Sequence, residues 1–445
     1  MIPELTPRAR RVLYIVPAWC SFLFLLAMYG RYSLNIPYYD QWELVPLLEK
    51  SFDGTLRFGD FWAQHNEHRL VFPRMLMMFM AHFSDWNIYW ELATNLVLAM
   101  STWLALCFLI RKSGEQVHDG ENNLLYMVTT LIVFSVSQWQ NWFFGWQLQV
   151  FMNVLAVVIT LAGLTWQRNT TAGLVLAMVA AVVATYSFAN GILLWPIGVL
   201  LLVLQRRERR LEFRREIIGW SMLSVMVIVS YLYGYHTPSY HPPLLEALSQ
   251  PLQCILYLLA YLGQPLGNIN LTLSICMGCL ALMVWSVTLF QLLVSRVPTA
   301  PVLPWLGMAL YALGTAIITA LGRVDEGLDQ ALSSRYVTMA NLLWLPLMVQ
   351  LYWVAQVSDG RIIRRLLPLK VTFLCIAITV ASVVGAYKWT ERYHAYDALR
   401  TELLVGDDLS KLRTLYPPRP QTLLERRVFL KEHHLSIFKP EPGEE

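Results

Sequence analysis

Leu271-Thr-Leu-Ser-Ile-Cys-Met-Gly-Cys-Leu-Ala-Leu-Met-Val-Trp-Ser-Val-Thr-Leu-Phe-Gln-Leu-Leu-Val294 runs without a single Asp, Glu, Lys or Arg. That exceeds the about 20 apolar residues a helix needs to cross the hydrocarbon core of a bilayer. It is one of eleven such segments, the others at about 12–29, 88–110, 124–136, 148–166, 172–186, 192–204, 217–235, 302–321, 336–354 and 369–387. Composition agrees. Charged residues are 14% and hydrophobic residues 56% of the 445, where a soluble domain carries about 25% charged residues. The expected fold is therefore an all-α polytopic membrane protein with about eleven transmembrane helices. The first apolar run has no small-residue cleavage site behind it and is read as a retained helix. Residues 252–262 are apolar but short, and Gly263-Gln264-Pro265 is expected to stop them as a re-entrant or interfacial helix.

Cys276 and Cys279 have redox-motif spacing but lie inside the quoted stretch with no polar neighbour. They and the other four cysteines read as small hydrophobes, not as a disulfide framework. A net charge of +4 gives no reason to expect nucleic acid as a partner; the lipid bilayer is the expected one.

Loop cations set the orientation. With the N-terminus cytoplasmic, seventeen fall on the inner side: Arg8, Arg10, Arg11, Arg111, Lys112, Arg168, Arg206, Arg207, Arg209, Arg210, Arg214, Arg215, Arg296, Arg361, Arg364, Arg365 and Lys370. Seven fall outside: Arg31, Lys50, Arg57, Arg69, Arg74, Arg323 and Arg335. A membrane module over 1–387 then carries a first outer loop at 31–87, followed by a small outer tail at 388–445.

Four polar stretches border the outer face. In Pro37-Tyr38-Tyr39-Asp40-Gln41-Trp42-Glu43, a helix starting near Asp40 would put Asp40 and Glu43 on one face. They would supply a general base within a platform of Tyr38, Tyr39 and Trp42 suited to a sugar, or an N-cap with its capping-box partner, two readings that are compatible. Gln64-His65-Asn66-Glu67-His68-Arg69, followed by Arg74, offers two anion-binding forks. His65, Glu67 and His68 lack the His-Glu-x-x-His spacing of a zinc site. Residues 138–147 interleave Gln138, Gln140, Asn141 and Gln147 with Trp139, Trp142 and Trp146, either as an interfacial belt or for stacking on sugars. Residues 186–191 read as a tight turn. Late in the chain Arg323 and Asp325 precede Ser334-Arg335-Tyr336, which opens an apolar helix. Arg335 there either binds phosphate, or snorkels to the headgroups or pairs with Asp325 or Asp329.

This layout resembles the GT-C superfamily of membrane glycosyltransferases. The likeness is carried by the order of Tyr-Asp-x-Trp at 39–42, His-x-Glu-His-Arg at 65–69, Ser-Phe-Ala-Asn-Gly at 187–191 and Ser-Arg-Tyr at 334–336. It implies an inverting transfer of a sugar from a polyprenyl-phosphate donor to a glycan or glycolipid acceptor, with Asp40 as catalytic base and a helical first outer loop. It implies a bacterial cytoplasmic membrane with the site facing the periplasm. Arg335, Arg69 and His68 are then expected at the donor phosphate. Glu43, Tyr39, Trp42, His65, Glu67, Trp142 and Gln147 are expected at the sugar or acceptor, with Arg323, Asp325, Arg74 and Tyr336 supporting them. Gln41 stands where many relatives have a second acidic residue, and neither a metal nor another cofactor is expected. The rival readings are a flippase for lipid-linked glycans, disfavoured by scarce ionisable residues mid-helix, and an O-antigen polymerase or ligase, whose large outer loop usually comes late.

Overall fold

With little charge in its apolar segments and no water in hydrocarbon to hydrogen-bond its backbone, such a chain satisfies its peptide groups within helices. The computed structural model describes residues 7–115, 122–166, 170–205, 213–238, 244–294, 300–357, 361–417 and 419–440. In chain order the helices are α1 (Pro7–Tyr32), α2 (Val45–Phe52), α3 (Phe58–Trp62), α4 (Val71–Ser84), α5 (Tyr89–Gly114), α6 (Asn123–Val133), α7 (Trp139–Phe143), α8 (Leu148–Leu164), α9 (Thr170–Thr185) and α10 (Leu194–Gln205). They continue as α11 (Phe213–Leu232), α12 (Leu244–Ser249), α13 (Pro251–Gly267), α14 (Leu271–Val294), α15 (Leu303–Arg323), α16 (Val337–Val357), α17 (Arg361–Asp397), α18 (Arg400–Val405), α19 (Leu409–Leu412) and α20 (Pro420–Glu432). Among the described residues the one sheet is a two-stranded antiparallel hairpin, β1 (Gln64–His65) and β2 (His68–Arg69).

Eight helices among the described residues are long and apolar enough to cross a membrane, and the segments Thr171–Thr185 and Ala189–Gln205 are shorter apolar helices. The chain is thus an all-α, multi-pass membrane protein. The segment expected at 124–136 yields α6, an 11-residue helix only about 16 Å long. The two most enclosed spans are Gly145–Leu164, 78% buried, and Ser334–Ala355, 89% buried; Tyr14–Tyr32, at 11%, lies at the periphery. Of the cations used for orientation, Arg168, Arg206, Arg207, Arg209, Arg210 and Arg296 lie outside the described residues.

The expected stop at Gly263-Gln264-Pro265 does not occur. Helix α13 continues to Gly267, with Pro265 inside it, and doubles back onto α14. The glycines permit this approach: a Cβ on Gly263 would sit 1.9 Å from the Ser274 carbonyl oxygen, and one on Gly278 2.0 Å from that of Leu259. Sequence punctuation for a turn was here the small-residue surface of a helix pair.

Two hydrophobic cores form. One fills the bundle. The other joins the segment between α1 and α5 to the tail, packing Tyr38, Trp42 and Leu47 with Tyr396, Leu412 and Leu423. Helix α17 runs unbroken through residue 387, where the membrane module was expected to end.

Candidate functional site

Asp40 lies in a 3-10 turn, Tyr39–Leu44, between α1 and α2. It is not the N-cap; the chain enters the turn through Tyr38. Tyr39 takes φ +50°, and its N–H donates to the Leu415 carbonyl at 2.6 Å. The Asp40 carboxylate lines a cavity of about 380 Å³, with Oδ1 3.9 Å from His65 Nε2. Glu43 has another task. It accepts from the Tyr416 hydroxyl and lies 3.3 Å from Arg426 Nη1. Burial alone would raise its pKa, but these two donors outweigh burial and hold it below the usual carboxylate range. Trp42 is fully buried in the second core, and neither it nor Tyr38 nor Tyr39 lines the cavity, so the expected aromatic platform is not there.

The hairpin presents His65, Asn66, Glu67 and His68 to the same cavity, turning at Asn66 with φ +49°. His65 packs on Trp146, ring centroids 5.1 Å apart. His68 Nδ1 accepts from the Ala189 N–H at 3.1 Å, and its ring stacks on Phe188 at 4.2 Å. Burial pushes the imidazole down to about 4, so at neutral pH His68 offers an N–H and no positive charge. Glu67 is 3.3 Å from Arg323 and 3.6 Å from His68.

The two forks expected to bind anion are committed to backbone. Arg69 donates to the carbonyls of Tyr231 (2.7 Å), Trp62 (3.0 Å) and Tyr233 (2.5 Å). Arg74 donates to the carbonyl of Ala63 at 2.6 Å, just past the C-terminus of α3, and burial lowers its pKa to about 10. The Arg69 fork is thereby filled, while Arg74, whose Nε has no partner, does not line the cavity. Among the described residues no three His, Cys, Asp or Glu side chains gather to hold a metal ion.

The amide-rich turn at 138–147 packs largely inside the protein. Gln140 Oε1 accepts from Ser333 Oγ (2.9 Å), Ser334 Oγ (2.9 Å) and the Arg335 N–H (3.1 Å). Asn141 Nδ2 donates to the Arg335 carbonyl at 2.9 Å, and Thr338 Oγ1 donates to Gln138. These amides clamp the turn Ser334–Tyr336 ahead of α16. Trp142 is buried, its Nε1 on the Ser135 carbonyl at 2.9 Å. Only Gln147 reaches the cavity.

Arg335, so clamped, lines the cavity with Tyr336 and Arg323. Its guanidinium lies over the Tyr336 ring, 5.2 Å from the centroid. Its Nε is buried without a hydrogen-bond partner. Arg323 differs, being 2.9 Å from Glu326 as well as paired with Glu67. Asp325 is exposed and takes Gln250 Nε2 at 3.1 Å; it does not line the cavity. Gln149, Asn190, Tyr231, Tyr235, Tyr261 and Thr319 do line it, and none of them was foreseen. Asn190 sits in the stretch read as a plain turn, Tyr261 in the helix read as too short.

One carboxylate near a histidine and one guanidinium, bonded to the Tyr336 hydroxyl at 3.4 Å and without an acidic partner among the described residues, therefore line a common space. Such a space can take a proton from a hydroxyl and hold an anion. Compared with family models, with curated proteins and with solved structures, the chain matches none of them.

Proposed function

We propose that this chain is a membrane glycosyltransferase of GT-C-like architecture, with about eleven crossings, a cytoplasmic N-terminus and its cavity on the periplasmic face of a bacterial cytoplasmic membrane. It transfers a sugar from a polyprenyl-phosphate donor to a glycan or glycolipid acceptor. The observation that carries the reading is Arg335: it lines the cavity that also holds Asp40, its Nε has no partner, and no carboxylate among the described residues lies within salt-bridge distance. A buried unpaired donor is costly, and an anionic ligand would relieve it.

In the reaction, Asp40 takes the proton from the acceptor hydroxyl as that oxygen bonds to the anomeric carbon. The bond from that carbon to the phosphate oxygen breaks, inverting the centre. Charge develops on the leaving phosphate, where Arg335 stabilises it. The neutral His68 N–H and Gln147 suit sugar hydroxyls, and the Glu67–Arg323 pair bounds the cavity.

The test is release of polyprenyl phosphate from a synthetic polyprenyl-phosphate hexose or pentose, with extracted envelope glycolipid as acceptor, read by mass spectrometry. Wild type is expected to form glycosylated lipid, and Arg335→Ala to bind donor weakly. Donor binding that ignores Arg335→Ala would overturn the reading.

A further inference from the structure

The turn carrying Asp40 includes a left-handed tyrosine, Tyr39, a conformation uncommon for an aromatic residue. On its bundle side lies Glu91, in the first turn of α5 and 2% exposed. Glu91 Oε2 accepts from Gln41 Nε2 at 2.9 Å, and Oε1 accepts from Trp86 Nε1 at 3.0 Å. Gln41 in turn takes the Tyr38 N–H on its own Oε1 at 3.4 Å. Glycine at 145 leaves the room: a Cβ there would sit 2.0 Å from Glu91 Oε2 and 2.9 Å from Gln41 Nε2. All the donors to Glu91 are neutral. A buried carboxylate without a counter-charge is a poor choice for packing alone, since an apolar side chain would fill the space at lower cost.

We infer that Glu91 is the positioning residue for Asp40: acting through Gln41, it locks the 3-10 turn so that the Asp40 carboxylate stays aimed into the cavity. This rests on the reading of Asp40 as the general base. The geometry demands a group that only accepts, because both Glu91 oxygens face N–H donors. In Glu91→Gln an amide nitrogen must face one of those donors whichever way it turns, so one link breaks.

The experiment uses the full chain in lipid nanodiscs with synthetic polyprenyl-phosphate hexose and extracted envelope glycolipid. Turnover is measured alongside hydrogen exchange of the amides at 38–44. Glu91→Gln is expected to lower kcat at least about tenfold, with KM for the donor nearly unchanged and faster exchange at 38–44. The double variant Gln41→Glu/Glu91→Gln swaps donor and acceptor and satisfies every partner again, so it is expected to restore both readouts. Wild-type kcat in Glu91→Gln, or a double variant no better than the single one, would overturn the inference. Asp40→Asn separates the two readings. If it is inactive while Glu91→Gln is normal, only the positioning role falls. If wild type releases no polyprenyl phosphate, the transferase reading fails, and exchange at 38–44 alone decides whether Glu91 holds the turn.

Discussion

Two short 3-10 turns deliver the charges of the candidate site, and they are held in opposite ways. The turn with Arg335 is fixed by neutral groups, Gln140 and Asn141 on its backbone and flanking hydroxyls. The turn with Asp40 is fixed by ionisable ones: Glu91 through Gln41, and Arg426, which donates to the Trp42 carbonyl at 2.7 Å and pairs with Glu43. A neutral clamp leaves the arginine's charge uncompensated, as an anion site needs. Arg69, in the hairpin, and Arg74, in α4, donate instead to backbone carbonyls. The difference between them and Arg335 is place: Arg335 lines the cavity that holds Asp40, and Arg69 and Arg74 do not.

The comparison is broken most severely at Asp40. Asp40→Asn keeps the shape and is expected to cut turnover by roughly 10²–10⁴-fold, with donor affinity nearly unchanged in a titration of polyprenyl-phosphate sugar. Normal turnover in a correctly inserted variant would remove Asp40 from the chemistry. Next in size is Arg335→Ala, expected to weaken donor binding and turnover together by about 10–100-fold, the worth of a charge-assisted pair. Arg335→Lys should recover part, since a point charge lacks the planar fork. Arg69→Ala serves as contrast: its loss should appear in thermal stability. A larger loss of donor affinity in Arg69→Ala than in Arg335→Ala would reverse the assignment.

Hydrophobic runs made the membrane class and the helical segments legible, because crossing hydrocarbon imposes length and composition on each segment separately. The polar outer stretches were legible as a set, but residue roles depend on partners far away in sequence. Nothing near Arg69 announces that its fork will meet the carbonyls of Tyr231 and Tyr233. Glu43 looks like the companion of Asp40 until Tyr416 and Arg426 arrive from the tail. Gln140 resembles a sugar ligand, yet its acceptor is filled by Ser333, Ser334 and Arg335. Gly263 resembles a stop because a glycine reads alike in a turn and in a close helix contact.

Gln140 supplies the smaller test of the neutral clamp. Gln140→Ala strips the acceptor from the backbone N–H of Arg335 and from two hydroxyls, costing about 1–3 kcal/mol of local order. The expected result is about a tenfold weaker donor affinity, with the pH dependence of turnover unchanged because Asp40 is untouched. A shifted pH profile would mean that the two turns are coupled, and that the neutral clamp is not independent of the charged one.

The smallest effect should separate the clamps by pH alone. Glu43 is held below its ordinary value of 4.5 in the folded chain. A depressed carboxylate contributes stability that is fully present above the unfolded pKa and is lost as pH falls through the folded one. Acidification below about pH 4.5 should therefore loosen the contact of Glu43 with Tyr416 and Arg426, a change of ~1 kcal/mol, and release the tail from the Asp40 turn. The clamp on Arg335 is made of amides and hydroxyls, which do not titrate in this range, so its turn should hold. Hydrogen exchange at two pH values can read both turns at once: amides at 39–44 should lose protection in acid while those at 334–338 keep theirs. Glu43→Gln should remove the part of the acid response that passes through Tyr416 and Arg426. If acid loosens both turns equally, the loss is global and Glu43 is not the group that responds.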